Sequence, residues 1–128
     1  MHERQNIKTH FELEVYKRAF SAAMKIFQLS KNFPQEERYS LTNRIRRSSR
    51  SVCANNAEAW RKRRYPALWV SKLSDCEAEA AETQTWLKFA ADCGYLTQEA
   101  ETELHNEYNE IIAMLVIMIT HQEKWTIR

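Results

Sequence analysis

Glycine and proline are nearly absent from this chain of 128 residues, which holds one glycine, Gly94, and two prolines, Pro34 and Pro66. A β-sheet protein needs tight turns, and tight turns draw on glycine because glycine adopts positive φ without strain. The same shortage excludes a glycine-rich phosphate-binding loop. Because 44% of the residues are hydrophobic, the composition also differs from that of a disordered segment. The sequence therefore predicts an all-α fold.

The sequence also lacks paired cysteines, a strong net charge and a long apolar run. Cys53, Cys76 and Cys93 are odd in number and show no Cys-x-x-Cys spacing, which disfavours disulfides and structural zinc and is typical of a reduced, cytoplasmic setting. The 19 basic residues nearly balance the 17 acidic ones, so only the placement of charge can indicate a polyanionic partner. No segment predicts a signal peptide or a membrane-spanning helix, so we expect no membrane partner.

Apolar residues recur at helical spacing in four segments of the chain. The first helix is predicted from Phe11 to Leu29, before Pro34. The second is predicted to open at Ser40, a hydroxyl residue suited to N-capping, and to end at Pro66. Proline ends it because the residue before a proline disfavours helical geometry.

The remaining two helices are bounded by residues with similar roles. Pro66 suits the first turn of the third helix, and Gly94 suits a left-handed turn after its end. Thr97 is placed to cap the fourth helix. Because short connections favour antiparallel neighbours, we expect an up-down-up-down four-helix bundle. It forms a single domain over residues 1–128, with a loose N-terminus over residues 1–10.

Each predicted helix has one apolar stripe that faces the core. In chain order, the stripes consist of Leu13, Tyr16, Phe20, Ala23 and Phe27; Leu41, Ile45, Ser48, Val52, Asn55 and Ala59; Trp69, Leu73, Cys76, Ala80, Thr83, Leu87 and Ala90; and Leu104, Tyr108, Ile111, Leu115 and Met118. The second stripe contains polar residues, which need hydrogen-bond partners when buried. Asn55 and Asn56 are interpreted as fixing the helix register or, alternatively, as lining a site.

Five arginines of the second predicted helix lie opposite its apolar stripe, within about 100° of one another on a helical wheel. These arginines, here named the arginine strip, are Arg46, Arg47, Arg50, Arg61 and Arg64. A row of guanidiniums roughly 27 Å long can follow a phosphate backbone, because each planar fork grips phosphate in two places. The strip therefore predicts binding to RNA or DNA, with loose sequence preference because phosphate contacts position without specifying sequence.

Two other interpretations of the arginine strip remain open. The arginines suit a solvated helix face, since arginine is a good helix former. Alternatively, they pair with Asp75, Glu79 and Glu82 of the third helix, within one chain or across a subunit interface. In that case the protein is a protein-interaction scaffold that binds no nucleic acid.

An ordered set of short motifs covers nearly the whole chain, from Phe11 to about Gln122. The motifs are Phe33-Pro34, Leu41-Thr42, Ile45-Arg46-Arg47, the run from Ser51 to Glu58, the basic turn from Arg61 to Arg64, Glu79 with Glu82-Thr83, Trp86-Leu87 and Gly94-Tyr95-Leu96. In order and spacing they resemble the four-helix-bundle proteins encoded by intervening sequences of large-subunit ribosomal RNA genes. Relatives of that family include the accessory proteins of diversity-generating retroelements. The chain departs from the pattern at Glu58-Ala59-Trp60, where many relatives have Ala-Glu-Gly.

The resemblance implies an assembly and a set of partners. It implies a ring-like homopentamer that binds RNA or DNA and has no catalytic activity. Among the retroelement relatives, the implied partner is a reverse transcriptase. The assembly and the partners are therefore expectations that rest on the family resemblance.

Catalytic, metal and cofactor sites are not predicted. A di-iron centre in a four-helix bundle needs Glu-x-x-His pairs on two helices. Here Thr102 stands three residues before His105, and Met118 three before His121, so neither pair exists. No cysteine belongs to a Cys-His-Asn pattern that indicates a nucleophile. We therefore expect a protein that is not an enzyme and that holds no metal or cofactor.

Trp60 and Trp69 flank the turn at Pro66. Aromatic residues on helices are more often found in a core or an interface than exposed for base stacking. We therefore predict that both tryptophans belong to the oligomer interface.

Overall fold

The computed structural model describes residues 7–127, which fold into four α-helices. In chain order these are α1 (Glu14–Ser30), α2 (Leu41–Arg61), α3 (Pro66–Asp92) and α4 (Gln98–Thr120). Single 3₁₀ turns occur at His10–Glu12, Gln35–Glu37 and Gln122–Lys124. Residues 7–127 contain no strand, and the all-α prediction is confirmed. The first six residues of the predicted loose N-terminus lie outside the described range.

The four helices pack around one core. Each helix contacts its neighbours in the chain, and α1 also contacts α4, which completes the bundle. The predicted four-helix bundle is thus confirmed. The short connections between helices explain these contacts, because a short link leaves consecutive helices side by side.

Helices α3 and α4 bury the residues that their sequence pattern predicts. All seven stripe positions of α3 and all five of α4 are buried. Trp69, Leu73, Ile111 and Leu115 are completely inaccessible to solvent. Burying a large apolar side chain contributes about 1.5–3 kcal/mol, so these two helices supply much of the stabilisation of the core.

Helix α1 is rotated relative to its predicted orientation. Val15, Ala19, Ala22 and Ile26 face the core, whereas Phe20, which was predicted to be buried, is 51% exposed. The alanines allow the backbone of α1 to come close to its neighbours, where aromatic rings would not fit. Size at the contact, rather than hydrophobicity alone, therefore decides which face of α1 is buried.

Three of the predicted helix boundaries are confirmed. The hydroxyl of Thr97 accepts a hydrogen bond of 3.1 Å from the backbone N–H of Ala100, which caps α4. Gly94 has φ of 83°, a conformation that disfavours residues with a Cβ atom. Pro66 occupies the first turn of α3, where its missing N–H costs nothing.

The start of α2 is organised by Glu37 and not by Ser40. The Ser40 hydroxyl makes no capping bond to the helix and instead donates to Glu37 Oε1 at 2.8 Å. Glu37 Oε1 also accepts from the backbone N–H of Leu41 at 3.4 Å, and Glu37 Oε2 accepts from the Tyr95 hydroxyl at 2.9 Å. The hydrogen bonds from Ser40 and Tyr95 hold the pKa of Glu37 below its ordinary value. Through Tyr95, Glu37 ties the connection before α2 to the connection after α3.

A short polar contact joins α2 to α3 inside the bundle. The hydroxyls of Ser48 and Thr83 lie 2.8 Å apart, and Thr83 also donates to the carbonyl of Glu79 at 2.9 Å. Both hydroxyl residues are fully buried. The predicted stripe of the second helix included Asn55 as a buried residue. In the structure Asn55 is only half-buried, and its neighbour Asn56 is the buried one, with 1% of its surface exposed. The hydrogen bond between Ser48 and Thr83 can therefore fix the register of α2 and α3.

Candidate nucleic-acid interface

Four arginines line one shallow depression at the N-terminal end of α2. The depression has a volume of about 490 Å³. It is lined by Arg38, Arg46, Arg47 and Arg50 together with Thr42, Asn43, Ser51 and Ala54. No carboxylate is among these lining residues, so the only charges on this surface are positive.

Phe27 and Ser30 of α1 contact two of the arginines that line this depression. Arg46 donates to the hydroxyl of Ser30 at 2.7 Å, and its guanidinium lies 4.9 Å from the centre of the Phe27 ring. The guanidinium of Arg50 lies over the same ring at 5.7 Å. Cation–π contacts of this kind are worth about 0.5–1 kcal/mol at exposed sites and restrict the side-chain rotamers. Arg46 is half-buried as a result, whereas Arg47 and Arg50 are exposed.

Arg61 and Arg64 lie at the opposite end of the strip. Arg61 is the last residue of α2, about 22 Å along the helix axis from Arg46. The helix was predicted to continue to Pro66, but it ends at Arg61, so Arg64 belongs to the turn that follows. Both side chains are exposed. The strip is thus a cluster of three arginines on α2, followed by two at and beyond the end of the helix.

Arg63 has a structural role in the same turn. Its guanidinium lies 3.5 Å from the centre of the Trp60 ring and donates to the Trp60 carbonyl at 2.8 Å. Burial lowers the pKa of Arg63, and the neighbouring charge of Arg61 lowers it further. Arg63 therefore caps the end of α2 and covers Trp60.

In the part of the chain that the structure describes, the acidic residues of α3 form no ion pair with the arginine strip. Within residues 7–127, none of the five arginines forms a salt bridge. Asp75 lies 3.9 Å from Lys72, and Glu82 accepts a hydrogen bond from the Trp86 indole at 3.1 Å. Glu79 Oε1 is buried without a hydrogen-bond partner in this part of the chain. The pairing of strip arginines with these acids within one chain is therefore not seen.

The burial of Glu79 changes the pKa of its carboxyl in a way that can be tested. Desolvation raises the pKa of its carboxyl above 4.5, Glu82 and Asp75 raise it further, and Arg47 opposes the shift. Because the folded-state pKa is the higher one, ionising Glu79 destabilises the fold increasingly as pH rises above 4.5, and the effect vanishes below that pH.

We expect Glu79→Gln to raise the melting temperature near neutral pH and to have a much smaller effect at about pH 4, where wild-type Glu79 is mostly protonated in both states. Circular dichroism melts at the two pH values test this. Glu110→Gln, a change at an exposed position on α4, is the control and is expected to leave the melting temperature nearly unchanged. An equal effect of Glu79→Gln at both pH values would contradict the assigned cause.

The two tryptophans predicted at the oligomer interface lie inside the chain. Trp60 is 2% exposed and Trp69 is 0% exposed. The Trp69 indole donates to the carbonyl of Met118 at 3.4 Å, and its ring stacks on Trp125 at a centroid distance of 6.0 Å. Since both side chains pack against their own bundle, neither offers surface for direct contact with a second copy.

Two kinds of site are absent from the described part of the chain. No group of three or more His, Cys, Asp or Glu side chains between residues 7 and 127 is arranged to hold a metal ion. No helix in that range is long and apolar enough to cross a membrane.

Sequence reasoning missed Arg38 and the outward-facing aromatic residues of the N-terminal segment. Arg38 precedes α2 by several residues, so a search along the helix face does not include it. The exposed rings of Phe11 and Phe20 were missed because aromatic residues at helical spacing are usually buried. Lys31, whose ammonium lies 4.9 Å from the Phe27 ring centre, completes the positive charge around that ring.

A family model decides the relationship of this chain to known proteins. The model of the 23S rRNA-intervening sequence protein matches residues 11–116. The chain belongs to this family. The match includes all of α1, α2 and α3 and most of α4, and therefore also the whole arginine strip of this chain. The resemblance inferred from the ordered motifs is confirmed.

A solved structure supports the fold of this 23S rRNA-intervening sequence family member. It is the crystal structure of a protein of unknown function from the S23 ribosomal protein family of Bacteroides thetaiotaomicron. The two chains are 29% identical and superpose with a TM-score of 0.74, covering 82% of this chain and 97% of the other. No curated protein matches this chain.

Proposed function

We propose that this protein is a non-enzymatic, self-associating four-helix bundle that binds RNA or DNA through the arginine strip. The observation that carries the proposal is the depression at the start of α2, where Arg38 joins Arg46, Arg47 and Arg50 without any carboxylate in the lining. Arginine side chains concentrated in this way attract phosphates, and their planar forks bind phosphate oxygens in two places.

The chemistry of the strip favours recognition of the backbone over recognition of sequence. Guanidiniums presented along one helix contact phosphates, which are the same in every sequence. The side chains of Thr42, Asn43 and Ser51 add hydroxyl and amide groups at the same depression. We therefore expect binding with loose sequence preference. The depression is expected to contribute most of the affinity, and Arg61 and Arg64 a smaller part.

Self-association and a reverse-transcriptase partner are parts of the proposal that the family resemblance supports. A homopentameric ring would repeat the strip five times, and linked sites bind a long polyanion more tightly than one site does. In such a ring the protein serves as a nucleic-acid-holding accessory factor. A reverse transcriptase is the enzyme that would act on the held strand.

Charge reversal tests the strip directly. Arg47, Arg50 and Arg61 are exposed, and within residues 7–127 none of them forms a salt bridge, so replacing all three by Glu removes no buried side chain from the bundle. We expect the triple variant to lose about 100-fold in affinity for a labelled oligonucleotide, because non-specific binding is almost entirely electrostatic. Fluorescence anisotropy gives the affinity, and circular dichroism confirms the fold.

A matched control separates the strip from the charge of the whole protein. Lys17, Lys88 and Lys124 are exposed and lie outside the strip. Replacing all three by Glu changes the net charge from +2 to −4, as the triple arginine variant does. The proposal requires the lysine variant to bind far better than the arginine variant. Equal losses would mean that no defined surface binds nucleic acid.

One observation favours the scaffold alternative. Glu79 Oε1 is a buried acceptor without a partner in residues 7–127, and an arginine from a neighbouring subunit would satisfy it. If the triple arginine variant changes the oligomer mass in light scattering while wild-type protein binds no oligonucleotide, the strip serves assembly instead.

A further inference from the structure

The outward face of the N-terminal segment carries a row of aromatic rings, here named the aromatic ladder: Phe11, Tyr16, Phe20 and Phe27, of which the first three are in contact. Phe11 is 61% exposed and Phe20 is 51% exposed, and Tyr16 lies between them. The Phe11 and Tyr16 rings meet edge to face at 5.4 Å, and the Tyr16 and Phe20 rings stack at 6.1 Å with an interplanar angle of 21°. This is an unusual amount of aromatic surface to leave in water.

The ladder runs directly into the arginine strip. Phe27 is about 10 Å further along α1 than Phe20. Lys31, Arg46 and Arg50 each place a cationic group 4.9–5.7 Å from the centre of the Phe27 ring. Aromatic rings, together with cations that form no salt bridge within residues 7–127, thus follow one another along the side of α1 that faces α2.

The acidic residues of the same segment are turned away from the ladder. Glu12 and Glu14 line a separate groove with Met114 and Ile117 of α4. Arg18 points to the same side, where it forms a bidentate pair with Glu107 at 2.8 and 2.9 Å. The α4 side of α1 therefore carries charges of both signs, two of them paired with glutamates of α4, whereas the α2 side is aromatic and basic. An aromatic and basic surface suits a ligand with both flat rings and negative charge.

We infer that the ladder and the strip together bind single-stranded nucleic acid, with bases stacked on the exposed rings and phosphates held by the arginines. The inference rests on the proposed function and narrows its ligand to an unpaired strand. In a duplex the faces of the bases are stacked on each other and do not reach protein side chains, whereas a single strand offers a flat face at every base. Stacking of this kind tolerates any sequence, as the phosphate contacts do.

The orientation of α1 makes this surface possible. Small residues on the core face, Ala19 and Ala22, let the bundle close while the larger rings remain outside. A chain that needed these rings only for stability would bury them, because exposed aromatic area contributes nothing to the core. The ladder is therefore assigned to a partner.

The experiment compares a single strand with a duplex. Affinities for a labelled oligo(dT) or oligo(U) strand of about 20 nucleotides and for a blunt duplex of the same length are measured by anisotropy. We expect the wild-type protein to prefer the single strand. The double variant Phe11→Ala/Phe20→Ala is expected to lose about tenfold or more on the single strand and to bind the duplex as wild type does.

Two controls make the result specific to stacking. Phe20→Tyr keeps a flat ring and is expected to retain single-strand affinity. Phe89→Ala removes an equally exposed phenyl ring, at 55%, from the outer surface of α3 and is expected to have no effect on binding.

The failures of the two proposals are distinguishable. If the double variant binds the single strand as wild type does, or if wild type prefers the duplex, the inference is overturned while the proposed function stands. If wild type binds neither probe, both fall. If the double variant shows a smaller mass than wild type in light scattering, a second copy covers the ladder, and the inference is again overturned.

Discussion

A salt titration of oligonucleotide binding is expected to show a steep, linear fall of log K with log salt concentration. The four exposed arginines of the arginine strip, Arg47, Arg50, Arg61 and Arg64, can each neutralise one phosphate and release its counterion, and a contact by Arg38 makes the fall steeper. Four such contacts give a slope of about −2.8 on a single strand and about −3.6 on a duplex. Between about 50 and about 200 mM salt, the affinity falls roughly 50-fold on a single strand and roughly 150-fold on a duplex.

The triple arginine variant tests whether the strip is responsible for this salt dependence. Replacing Arg47, Arg50 and Arg61 by Glu is expected to reduce the magnitude of the slope by about two or more on a single strand, because three phosphate contacts are lost. The lysine control is expected to keep the wild-type slope. A slope near zero for the wild-type protein would show that phosphates are not the ligand of the strip.

Trp69→Ala is expected to lower the free energy of unfolding by about 3–5 kcal/mol, the usual cost of deleting a buried large aromatic side chain. Trp69 is completely buried in the first turns of α3, stacks on Trp125 and bonds to the carbonyl of Met118. Its loss leaves a cavity between α3 and the end of α4 that the helices cannot close. Small domains are stable by only about 5–15 kcal/mol, so much of the margin disappears.

Urea denaturation followed by circular dichroism measures this change. Leu68→Ala is the matched control, because Leu68 precedes Trp69 on the same helix but is 43% exposed. A surface change of this kind usually alters stability by less than about 0.5 kcal/mol. If Trp69→Ala lowered the free energy of unfolding no more than Leu68→Ala does and changed the oligomer mass, the result would support the prediction that Trp69 lies at a subunit interface.

The stripes of α3 and α4 could be predicted from sequence because only one face of each helix is apolar at every turn. In α1 two overlapping faces have the helical period, one through Tyr16 and Phe20 and one through Ala19 and Ala22. Hydrophobicity favours the aromatic face, but close helix packing favours the small residues. That choice depends on the distance between helices, which one-dimensional spacing does not contain.

The candidate site was predictable in part for a similar reason. Arg46, Arg47 and Arg50 share a helix face, and helical geometry alone brings them together. Arg38 joins them only through the path of the connection before α2. Arg64 was placed on the helix because no glycine or proline marks the end of α2 before Pro66. Irregular segments set both positions, and their geometry follows from contacts distant in sequence.

The bonds that Glu37 makes have a consequence for when the binding surface comes into existence during synthesis. Glu37 precedes Arg38 directly, and the Tyr95 hydroxyl that anchors it lies beyond the end of α3. A growing polypeptide that has emerged only as far as the end of α2 already carries four of the five strip arginines, yet it lacks the Tyr95 hydroxyl that holds the connection before α2. The connection that carries Arg38 is therefore fastened only after α3 has been synthesised, and under the proposed function this order would delay binding of the surrounding RNA by the complete depression.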